Sequence, residues 1–224
     1  MIYVFVPYYH EDTPEFKKSL ESLSVPYRLI KRNRKASKIL WTEAVNDFWR
    51  ECSRWQGAKD DDVVCIMNND IEFDERLFVE GGEVTSGWVH IPNGCEIFID
   101  WSTKSFIGAT GVCDSFVGRC FFMTLKDFKE SGGFCKWLPH ALSDADFGIG
   151  TIRSGIVPIL ISPIIHKEHG HLKRSKFSLL SYDNPIVWTI FLLRHPNRYT
   201  LINILKAWYE IFRGKNNLVS TNRR

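Results

Sequence analysis

The chain has 224 residues, of which 44% are hydrophobic and 25% are charged. This length and composition predict one large globular domain, or one domain followed by a tail. The formal net charge of +3 is too small to indicate a nucleic-acid-binding protein. The aromatic residues, which include eight Trp and sixteen Phe, suit either a large core or a sugar-binding surface, and composition does not separate these two.

The cysteines and the first residues of the chain indicate a cytoplasmic protein. None of the six cysteines belongs to a CxxC pair, and most have apolar neighbours, which predicts reduced core thiols and argues against a zinc site. Residues 1–12 are MIYVFVPYYHED and lack the basic stretch of a signal peptide. No apolar run reaches the roughly 18 residues that a membrane-spanning helix needs.

Three apolar runs in the first third of the chain predict buried strands. They cover residues 2–6, where Pro7 is expected to end the strand, residues 25–31 and residues 63–67. Helical patterns separate them, so the order is β-α-β-α-β. This alternation predicts a parallel sheet with right-handed crossovers. The expected fold class is therefore α/β, with a central, mostly parallel sheet flanked by helices.

The two helices between these strands have recognisable starts. Asp12 or Thr13 can cap the first helix, and Pro14 suits its first position. The second helix is expected to begin at Ser37 and to run to about residue 55. Its aromatic and aliphatic residues recur on one face, which predicts that this face is buried.

The second half of the chain contains shorter patterns. Strands are predicted over residues 86–92, 95–101, 116–123 and 156–162, and a helix over residues 124–131. A further helix is expected to begin with Ser143 as its N-cap and to end just before Gly155. From about residue 172 the chain is basic and aromatic, with two amphipathic segments.

Polar residues follow the third predicted strand, in the segment VVCIMNNDIEF at residues 63–73. Asn68, Asn69 and Asp70 come directly after the apolar run. Ligands of parallel α/β sheets bind beyond the carboxyl ends of the strands. A carboxylate there could bind Mg²⁺ or Mn²⁺, which would neutralise a diphosphate leaving group. The alternative is a turn stabilised by its own Asn and Asp side chains.

Two acids, Asp144 and Asp146, fall in the first turn of a predicted helix. Acids at this position interact favourably with the helix dipole, and Ser143 with Asp146 resembles a capping box. The functional alternative is a general base at the mouth of a pocket.

Three histidines, His166, His169 and His171, follow the strand predicted over residues 156–162. Neutral imidazole is a common metal ligand, but surface histidines fit the same pattern. The spacing does not match the HExxH motif of metalloproteases, and the chain contains neither GxGxxG nor a P-loop.

The order of these motifs resembles that of the GT-A glycosyltransferases, specifically of family 2, the rhamnosyltransferase-like members. The resemblance covers about residues 1–195 and leaves residues 196–224 as a C-terminal amphipathic basic helix and tail. VPYY at residues 6–9 resembles the family's first strand, and Asn46 resembles an Asn in the helix before the third strand. The NND at residues 68–70 matches the family's N-x-D.

Three later motifs match with substitutions. The family's GGFDE is matched by Gly132-Gly133-Phe134, with Cys135 and Lys136 replacing the two acids. Its EDxD is matched by Ser143-Asp144-Ala145-Asp146, with Ser in place of Glu, and its VxH by Ile164-Ile165-His166.

The resemblance implies the GT-A fold, a Rossmann-like nucleotide-diphospho-sugar transferase fold. It implies a metal-dependent inverting enzyme that moves a sugar from a nucleotide-diphosphate donor to a hydroxyl of a glycan or lipid-linked acceptor. Asp144 would be the general base, Asp146 would support either this base or the nearby helix, and Asp70 and His166 would bind Mn²⁺ or Mg²⁺. The implied donor-binding residues are Pro7, Asn46, Asn68, Asn69, Asp70 and Arg153, and the implied acceptor-binding residues are Gly132, Gly133 and Phe134.

Two departures from the family pattern concern the donor. The family's acidic DNxS after the second strand, which contacts the base and ribose, is replaced here by KRNR at residues 31–34. Base recognition is therefore expected to differ. The usual Arg four residues after the second acid is replaced by Gly150, and Arg153 is the candidate to substitute for it.

The basic, aromatic C-terminal segments have two interpretations. Amphipathic basic helices can lie on an anionic membrane, which would give a peripheral membrane contact. Alternatively, they pack on the domain and leave a solvated basic face.

Two other functions compete with the transferase. A nucleotidyltransferase on a similar core would need a Gly-rich, Lys-containing loop at residues 7–14, which is absent. A non-catalytic glycan- or partner-binding domain on a glycosyltransferase scaffold would be marked by loss of Asp70 or Asp144, and both are present.

Overall fold

The computed structural model describes residues 1–93, 97–100, 105–106, 115–116, 119–138, 142–167, 184–196 and 198–212. The strands are β1 (Ile2–Tyr8), β2 (Tyr27–Asn33), β3 (Val63–Met67), β4 (Ile71–Glu72), β5 (Trp88–Pro92), β6 (Ile97–Asp100), β7 (Ser105–Phe106), β8 (Ser115–Phe116), β9 (Cys120–Thr124), β10 (Val157–Ile161) and β11 (Ile165–His166). The helices are α1 (Pro14–Glu21), α2 (Arg34–Ser37), α3 (Trp41–Cys52), α4 (Glu75–Gly82), α5 (Leu125–Glu130), α6 (Ser143–Arg153), α7 (Pro185–Arg194) and α8 (Arg198–Phe212).

The central sheet has six strands in the order β10-β5-β9-β3-β1-β2. β1 is parallel to β2 and β3, and β10 is parallel to β5. Only β9 runs against its neighbours β3 and β5 in this sheet. The expected α/β class with a mostly parallel sheet is therefore confirmed, and the carboxyl ends of β1, β2, β3, β5 and β10 lie along one edge.

Successive side chains of a strand point to opposite faces of the sheet. The apolar side chains on each face are buried by helices, so the sheet has a core on both sides. Phe5 of β1 points to a core built with α3, α5 and α6, and its ring stacks on Phe48 of α3 with centroids 4.2 Å apart. Val4 and Val6 point to a second core built with α1 and α4. A third cluster joins α6 and α7 and includes Ile204 of α8.

The predicted start of α1 is confirmed, whereas the predicted end of β1 is wrong. Thr13 caps α1 by accepting a hydrogen bond from the Phe16 N–H at 3.2 Å, and Pro14 follows it. β1 continues through Pro7 to Tyr8. Proline is tolerated there because β1 pairs with β3 only as far as Phe5, so one side of the strand needs no donor beyond it.

The predicted start of the second long helix at Ser37 is also wrong. Residues 34–37 form the short helix α2, which ends because Lys38 adopts the left-handed conformation with a φ of 54°. A left-handed residue cannot continue a right-handed helix. α3 therefore begins at Trp41, where the Glu43 carboxylate accepts a hydrogen bond from the Leu40 N–H at 2.7 Å.

Ser143 is the first residue of α6 rather than its N-cap. The cap is Leu142, with a φ of 61°, and its carbonyl accepts a hydrogen bond from the Asp146 N–H at 2.9 Å. The predicted capping box between Ser143 and Asp146 does not form, since the Asp146 carboxylate binds elsewhere. The predicted helix end is confirmed, because Gly155, with a φ of 94°, follows the C-cap Ser154.

Three of the four cysteines among the described residues agree with the prediction of core thiols, and the fourth, Cys135, is half-buried. Cys52, Cys65 and Cys120 are buried and form no disulfide with one another. Burial raises the pKa of the Cys52 thiol to about 12, so it stays protonated at neutral pH. Cys95 and Cys113 lie outside the described residues.

Candidate active site

The candidate site begins where β3 ends. Asn68 is fixed there because its N–H donates to the Arg119 carbonyl at 2.8 Å. Asp70 stands in the tight turn between β3 and β4 and is half-buried, with its Oδ1 shielded from solvent. The carboxylate predicted to bind metal is therefore at the ligand-binding edge of the sheet.

A two-stranded antiparallel ribbon brings the residues around His166 back to this turn. His166 of β11 pairs with Ile71 of β4, and the Lys167 N–H donates to the Asp70 carbonyl at 2.7 Å. The two predicted metal ligands thus come from backbone positions next to each other, although 96 residues separate them in sequence. The structure describes the backbone of His166, and His169 and His171 lie outside the described residues.

The side chain of Asn69 joins β3 to the loop that follows β1. Its amide donates to the His10 carbonyl at 2.9 Å and to Oδ1 of Asp12 at 3.1 Å. In return, the Thr13 N–H donates to the Asn69 carbonyl at 3.3 Å. Both amide hydrogens of Asn69 are used inside the protein, so its role visible in the structure is to shape the loop beside Asp70.

The KRNR segment at the end of β2 makes contacts within the fold. Lys31 pairs with Asp12 through Nζ and Oδ2, and Arg32 pairs with Glu51 of α3. Asn33 caps α2 by accepting from the Ala36 N–H at 2.9 Å. These contacts explain how two consecutive basic residues are accommodated where the family pattern has an acid.

Arg34, the last residue of this segment, lies over the loop after β1. Its Nε donates to the Pro7 carbonyl at 3.2 Å, and its guanidinium lies 5.7 Å from the centre of the Tyr9 ring. The predicted donor residue Pro7 thus contacts the segment that differs from the family pattern.

The two acids of α6 have different surroundings. Asp144 is half-exposed, and its Oδ1 accepts a hydrogen bond from the N–H of Ala145 at 2.9 Å. Asp146 is only 3% exposed. Of the two predicted catalytic acids, Asp144 is therefore the one that solvent or a substrate can reach.

The carboxylate of Asp146 binds two residues at the end of α7. Arg194 donates from Nε to Oδ1 and from Nη2 to Oδ2, the latter at 3.1 Å, and His195 Nε2 lies 2.8 Å from Oδ1. Burial opposes the ionisation of Asp146, but these hydrogen bonds and the charge of Arg194 outweigh it and lower the pKa of Asp146. Asp146 is therefore an ionised anchor for α7.

Arg153, the predicted substitute for the family's donor-binding Arg, contacts the same cluster. Its Nη1 lies 3.1 Å from Nδ1 of His195. A guanidinium can only donate, so Nδ1 accepts and the proton of the imidazole is on Nε2, directed at Asp146. The chain Arg153–His195–Asp146 joins both ends of α6 to the end of α7.

The predicted acceptor turn at Gly132, Gly133 and Phe134 is fixed by Asn46 of α3. The Asn46 amide donates to the Phe134 carbonyl at 2.9 Å and accepts from the Phe134 N–H at 2.7 Å. Gly133 has a φ of 76°, and a Cβ at this position would lie 2.7 Å from Oδ1 of Asn46. Asn46, predicted to bind the donor, therefore has a visible structural role, which is to shape this turn.

Close aromatic packing fixes α6 against the edge of the sheet. Phe147 stacks on Phe134 with ring centroids 4.2 Å apart. A Cβ on Gly148 would lie 2.8 Å from the backbone nitrogen of Phe116 in β8. Since β8 precedes β9, whose first residue Cys120 pairs with Met67, α6 lies beside the end of β3.

Four residues with roles at this edge were not identified as site residues from the sequence: Asp12, Lys31, Arg194 and His195. The sequence indicates Asp12 only as a helix cap and Lys31 only as a departure from the family pattern. No local signal links Arg194 and His195 to Asp146, because 48 and 49 residues separate them from it.

Other features of the described residues do not add to this site. A cleft of about 470 Å³ opens at the opposite edge, between the starts of β1 and β2 and the helix α4. No cluster of three or more metal-binding side chains occurs among the described residues. In the same part of the chain, none of the helices combines the length and apolar character needed to cross a bilayer.

The fold is similar to that of solved glycosyltransferases. The catalytic domain of Drosophila β1,4-galactosyltransferase 7, solved with xylobiose, matches with a TM-score of 0.51 and 13% identity over 75% of this chain and 71% of that chain. GalNAc-T7, solved with UDP, GalNAc and Mn²⁺, matches with a TM-score of 0.56 and 10% identity over 95% of this chain. The match covers 57% of the GalNAc-T7 chain, a little over half.

No protein-family model matches the sequence, and neither does any curated protein. At these identities the structural matches establish the fold alone. The order of the strands, the helices on both faces of the sheet and the structural matches all indicate the same fold. The chain has the GT-A fold, a Rossmann-like α/β fold with a mostly parallel central sheet.

Proposed function

We propose that the protein is a metal-dependent inverting glycosyltransferase of the family 2 type. It would transfer a sugar from a nucleotide-diphosphate donor to a hydroxyl of a glycan or lipid-linked acceptor. The observation that supports this most directly is the turn at Asp70, with the β4–β11 ribbon bringing the backbone of His166 beside it. The GT-A fold, which GalNAc-T7 shares in its complex with UDP, GalNAc and Mn²⁺, adds support.

The residues at this turn suit a hard divalent cation. Asp70 offers a carboxylate oxygen, which both Mn²⁺ and Mg²⁺ accept. His166 would add an imidazole nitrogen, which favours a transition metal such as Mn²⁺ over Mg²⁺. An ion bound there would supply charge stabilisation to the departing nucleoside diphosphate. We propose Asp70 and His166 as its protein ligands, with Asn68 and Asn69 lining the donor diphosphate.

We propose Asp144 as the general base. The acceptor hydroxyl would transfer its proton to the Asp144 carboxylate as its oxygen attacks the anomeric carbon of the donor sugar. The new C–O bond forms while the bond to the diphosphate oxygen breaks, and the nucleoside diphosphate leaves with that electron pair. Attack opposite the leaving group inverts the anomeric centre. The exposure of Asp144, in contrast to the burial of Asp146, supports this division of roles.

The remaining predicted site residues would act around these two acids. Pro7 and Arg153 are proposed to line the binding site of the donor. The contact of Arg153 with His195 would fix the position of its guanidinium. The turn at residues 132–134 is proposed to line the acceptor, with Asn46 fixing its shape.

Thermal unfolding in the presence of nucleotides tests the donor site. UDP, GDP, dTDP and CMP, and their sugar conjugates, would be added with and without Mn²⁺. A bound nucleotide stabilises the folded protein by mass action, so one base is expected to raise the Tm only when Mn²⁺ is present. Asp70→Ala should abolish this shift.

Asp74→Ala is the matched control, because Asp74 is an exposed acid that follows the same ribbon. It should leave the nucleotide-dependent shift unchanged. If well-folded wild-type protein shows no shift with any nucleotide, the transferase proposal fails and a non-catalytic glycan- or partner-binding domain on this scaffold is favoured.

A further inference from the structure

The exposed face of α8 is apolar. At 100° per residue, five large side chains of this helix fall within an arc of about 120°. Each is between 38% and 62% exposed. They are Leu201, Ile202, Leu205, Trp208 and Tyr209, and we call them the α8 face. Exposed apolar surfaces of this kind mark interaction sites more often than isolated exposed residues do.

The α8 face borders the surface that packs α8 on α7. Ile204 lies about 40° beyond the edge of the arc and is buried among Val187 and Phe191 of α7. Within the described part of the chain, α8 therefore has one buried apolar side chain toward α7 and five exposed ones beside it. Leu193 of α7, which is 80% exposed, adds to the apolar surface of this helical pair.

Positive charge is concentrated in the same part of the chain. Residues 184–224 contain seven Lys or Arg residues and one acid, Glu210. Residues 1–183 contain 22 basic and 25 acidic residues. The mild net charge of the whole protein thus hides a basic C-terminal segment on a slightly acidic domain. Lys206 of α8 is exposed beside the α8 face.

We propose that the α8 face binds the surface of an anionic lipid bilayer. Leu201 and Leu205 would enter the boundary between headgroups and acyl chains, and Trp208 and Tyr209 would lie at the interface, where their amphipathic rings are favoured. Lys206, which is exposed beside the α8 face, would interact with anionic headgroups. A second copy of the chain is a poorer partner, since a symmetric contact would bring two basic segments together.

This surface is linked to the proposed base. Arg194 and His195, at the end of α7 and just before α8, bind Asp146, two residues from Asp144. Ile204 of α8 also belongs to the buried cluster that joins α6 and α7, so α8 is attached to the helix that carries Asp144. The acceptor hydroxyl that Asp144 deprotonates would then belong to a molecule anchored in the membrane. This step rests on the proposed transferase function.

Vesicle flotation tests the proposal without any nucleotide. Wild-type protein would be mixed with phosphatidylcholine vesicles, with and without added phosphatidylglycerol. It is expected to float with the anionic vesicles, and less so as salt is raised, because salt screens the charge attraction. Leu205→Glu should lower partitioning roughly tenfold or more, through the loss of one inserted leucine and the gain of a charge.

Val79→Glu is the matched control, since Val79 is an exposed apolar residue on α4. It should float like the wild type. Asp70→Ala should also float like the wild type, so a failure of the proposed donor site can be distinguished from a failure of the proposed membrane contact. Circular dichroism and the thermal transition would show that Leu205→Glu is folded, as expected for an exposed position.

Three outcomes would overturn the proposal. The wild type could remain with the soluble fraction in the presence of anionic vesicles. Val79→Glu could lose as much binding as Leu205→Glu. Light scattering could reveal a dimer that Leu205→Glu converts to a monomer while vesicles bind neither form, which would make a second copy the partner of the α8 face.

Discussion

His195 Nε2 lies 2.8 Å from Oδ1 of Asp146 and joins the end of α7 to the first turn of α6 across 49 residues of sequence. Arg194 binds the same carboxylate, and Arg153 binds the other nitrogen of the imidazole. The helix that carries Asp144 is therefore held to the C-terminal helices by a buried ionised group. The first prediction tests this attachment.

Asp146→Asn is expected to destabilise the protein by about 2–3 kcal/mol, because it removes one partner of a buried ion pair while Arg194 can regain water. Arg194 has a half-exposed side chain, whereas Asp146 and His195 are buried. Urea denaturation would measure the loss. Asp47→Asn is the control, since Asp47 is a half-exposed acid whose ion pairs lie at the surface, and its replacement should cost little. Equal losses for the two variants would contradict the role of Asp146.

The contribution of Asp146 should depend on pH. Its pKa is lowered in the folded protein, so the unfolded chain binds more protons around the ordinary carboxyl pKa of about 3.9. The stabilisation is therefore fully present above that value and is lost as the pH falls through the lower folded pKa. The difference in unfolding free energy between wild type and Asp146→Asn should be constant near neutral pH and shrink in acid. If this difference in unfolding free energy grew in acid, the pKa of Asp146 would be raised rather than lowered in the folded protein.

Asp144→Asn separates catalysis from binding. If Asp144 is the general base, turnover should fall by about 10² to 10⁴, the usual contribution of general base catalysis, whereas the Kd of the nucleotide should not change. Steady-state kinetics with the donor identified by thermal unfolding, and calorimetric titration of the nucleotide, would measure the two effects. A variant with wild-type turnover would remove Asp144 from the mechanism.

Two neighbouring glycines test how Asn46 fixes the turn at residues 132–134. Gly132 and Gly133 have φ values of 75° and 76°, so Ala at either position is strained. Only at Gly133 would the added Cβ meet Oδ1 of Asn46, whereas nothing lies within 4 Å at Gly132. Gly132→Ala should cost about 1 kcal/mol and Gly133→Ala roughly 1–2 kcal/mol more, as measured by urea denaturation. Equal costs would mean that the turn moves without disturbing Asn46.

A second pair of glycines tests the approach of α6 to β8. A Cβ at Gly148 would lie 2.8 Å from the Phe116 backbone nitrogen, whereas Gly150 has open space around it. Gly148→Ala should lower stability by about 1–3 kcal/mol through overpacking. Gly150→Ala should raise it by about 0.5–1 kcal/mol, because Ala is the better helix former. Thermal unfolding of both variants would check the opposite signs.

Several local features of the fold were predictable because they depend on residues close in sequence. The apolar runs of β1 and β3 predict buried strands, and Thr13 with Pro14 predicts the start of α1. β2 forms where its pattern predicts a strand, but as an edge strand it has no buried residue. The position of Asp70 at the carboxyl edge of the sheet was also predictable, since a parallel sheet directs the carboxyl ends of its strands to one side. The motif order predicts the GT-A fold, which the structure confirms.

The errors at helix ends also have physical reasons. The start of α3 depends on Lys38 adopting a left-handed backbone, which the residue type does not disclose. Ser143 has the right chemistry for an N-cap, but Leu142 takes that position because its side chain is buried between α6 and α7. Tertiary packing therefore decides between cap candidates that local chemistry leaves open.

The sequence by itself determined the alternation of strands and helices, the edge of the sheet where Asp70 lies and the presence of acids in the first turn of α6. The tertiary structure decided that Asp144 stays half-exposed while Asp146 is a buried anchor, because Asp146 contacts Arg194 and His195 only when α7 packs on α6. It also decided that Asn46 fixes a turn 88 residues away and that β11 returns to Asp70. These pairings arise from burial and long-range packing, which leave no periodic or local trace in the chain.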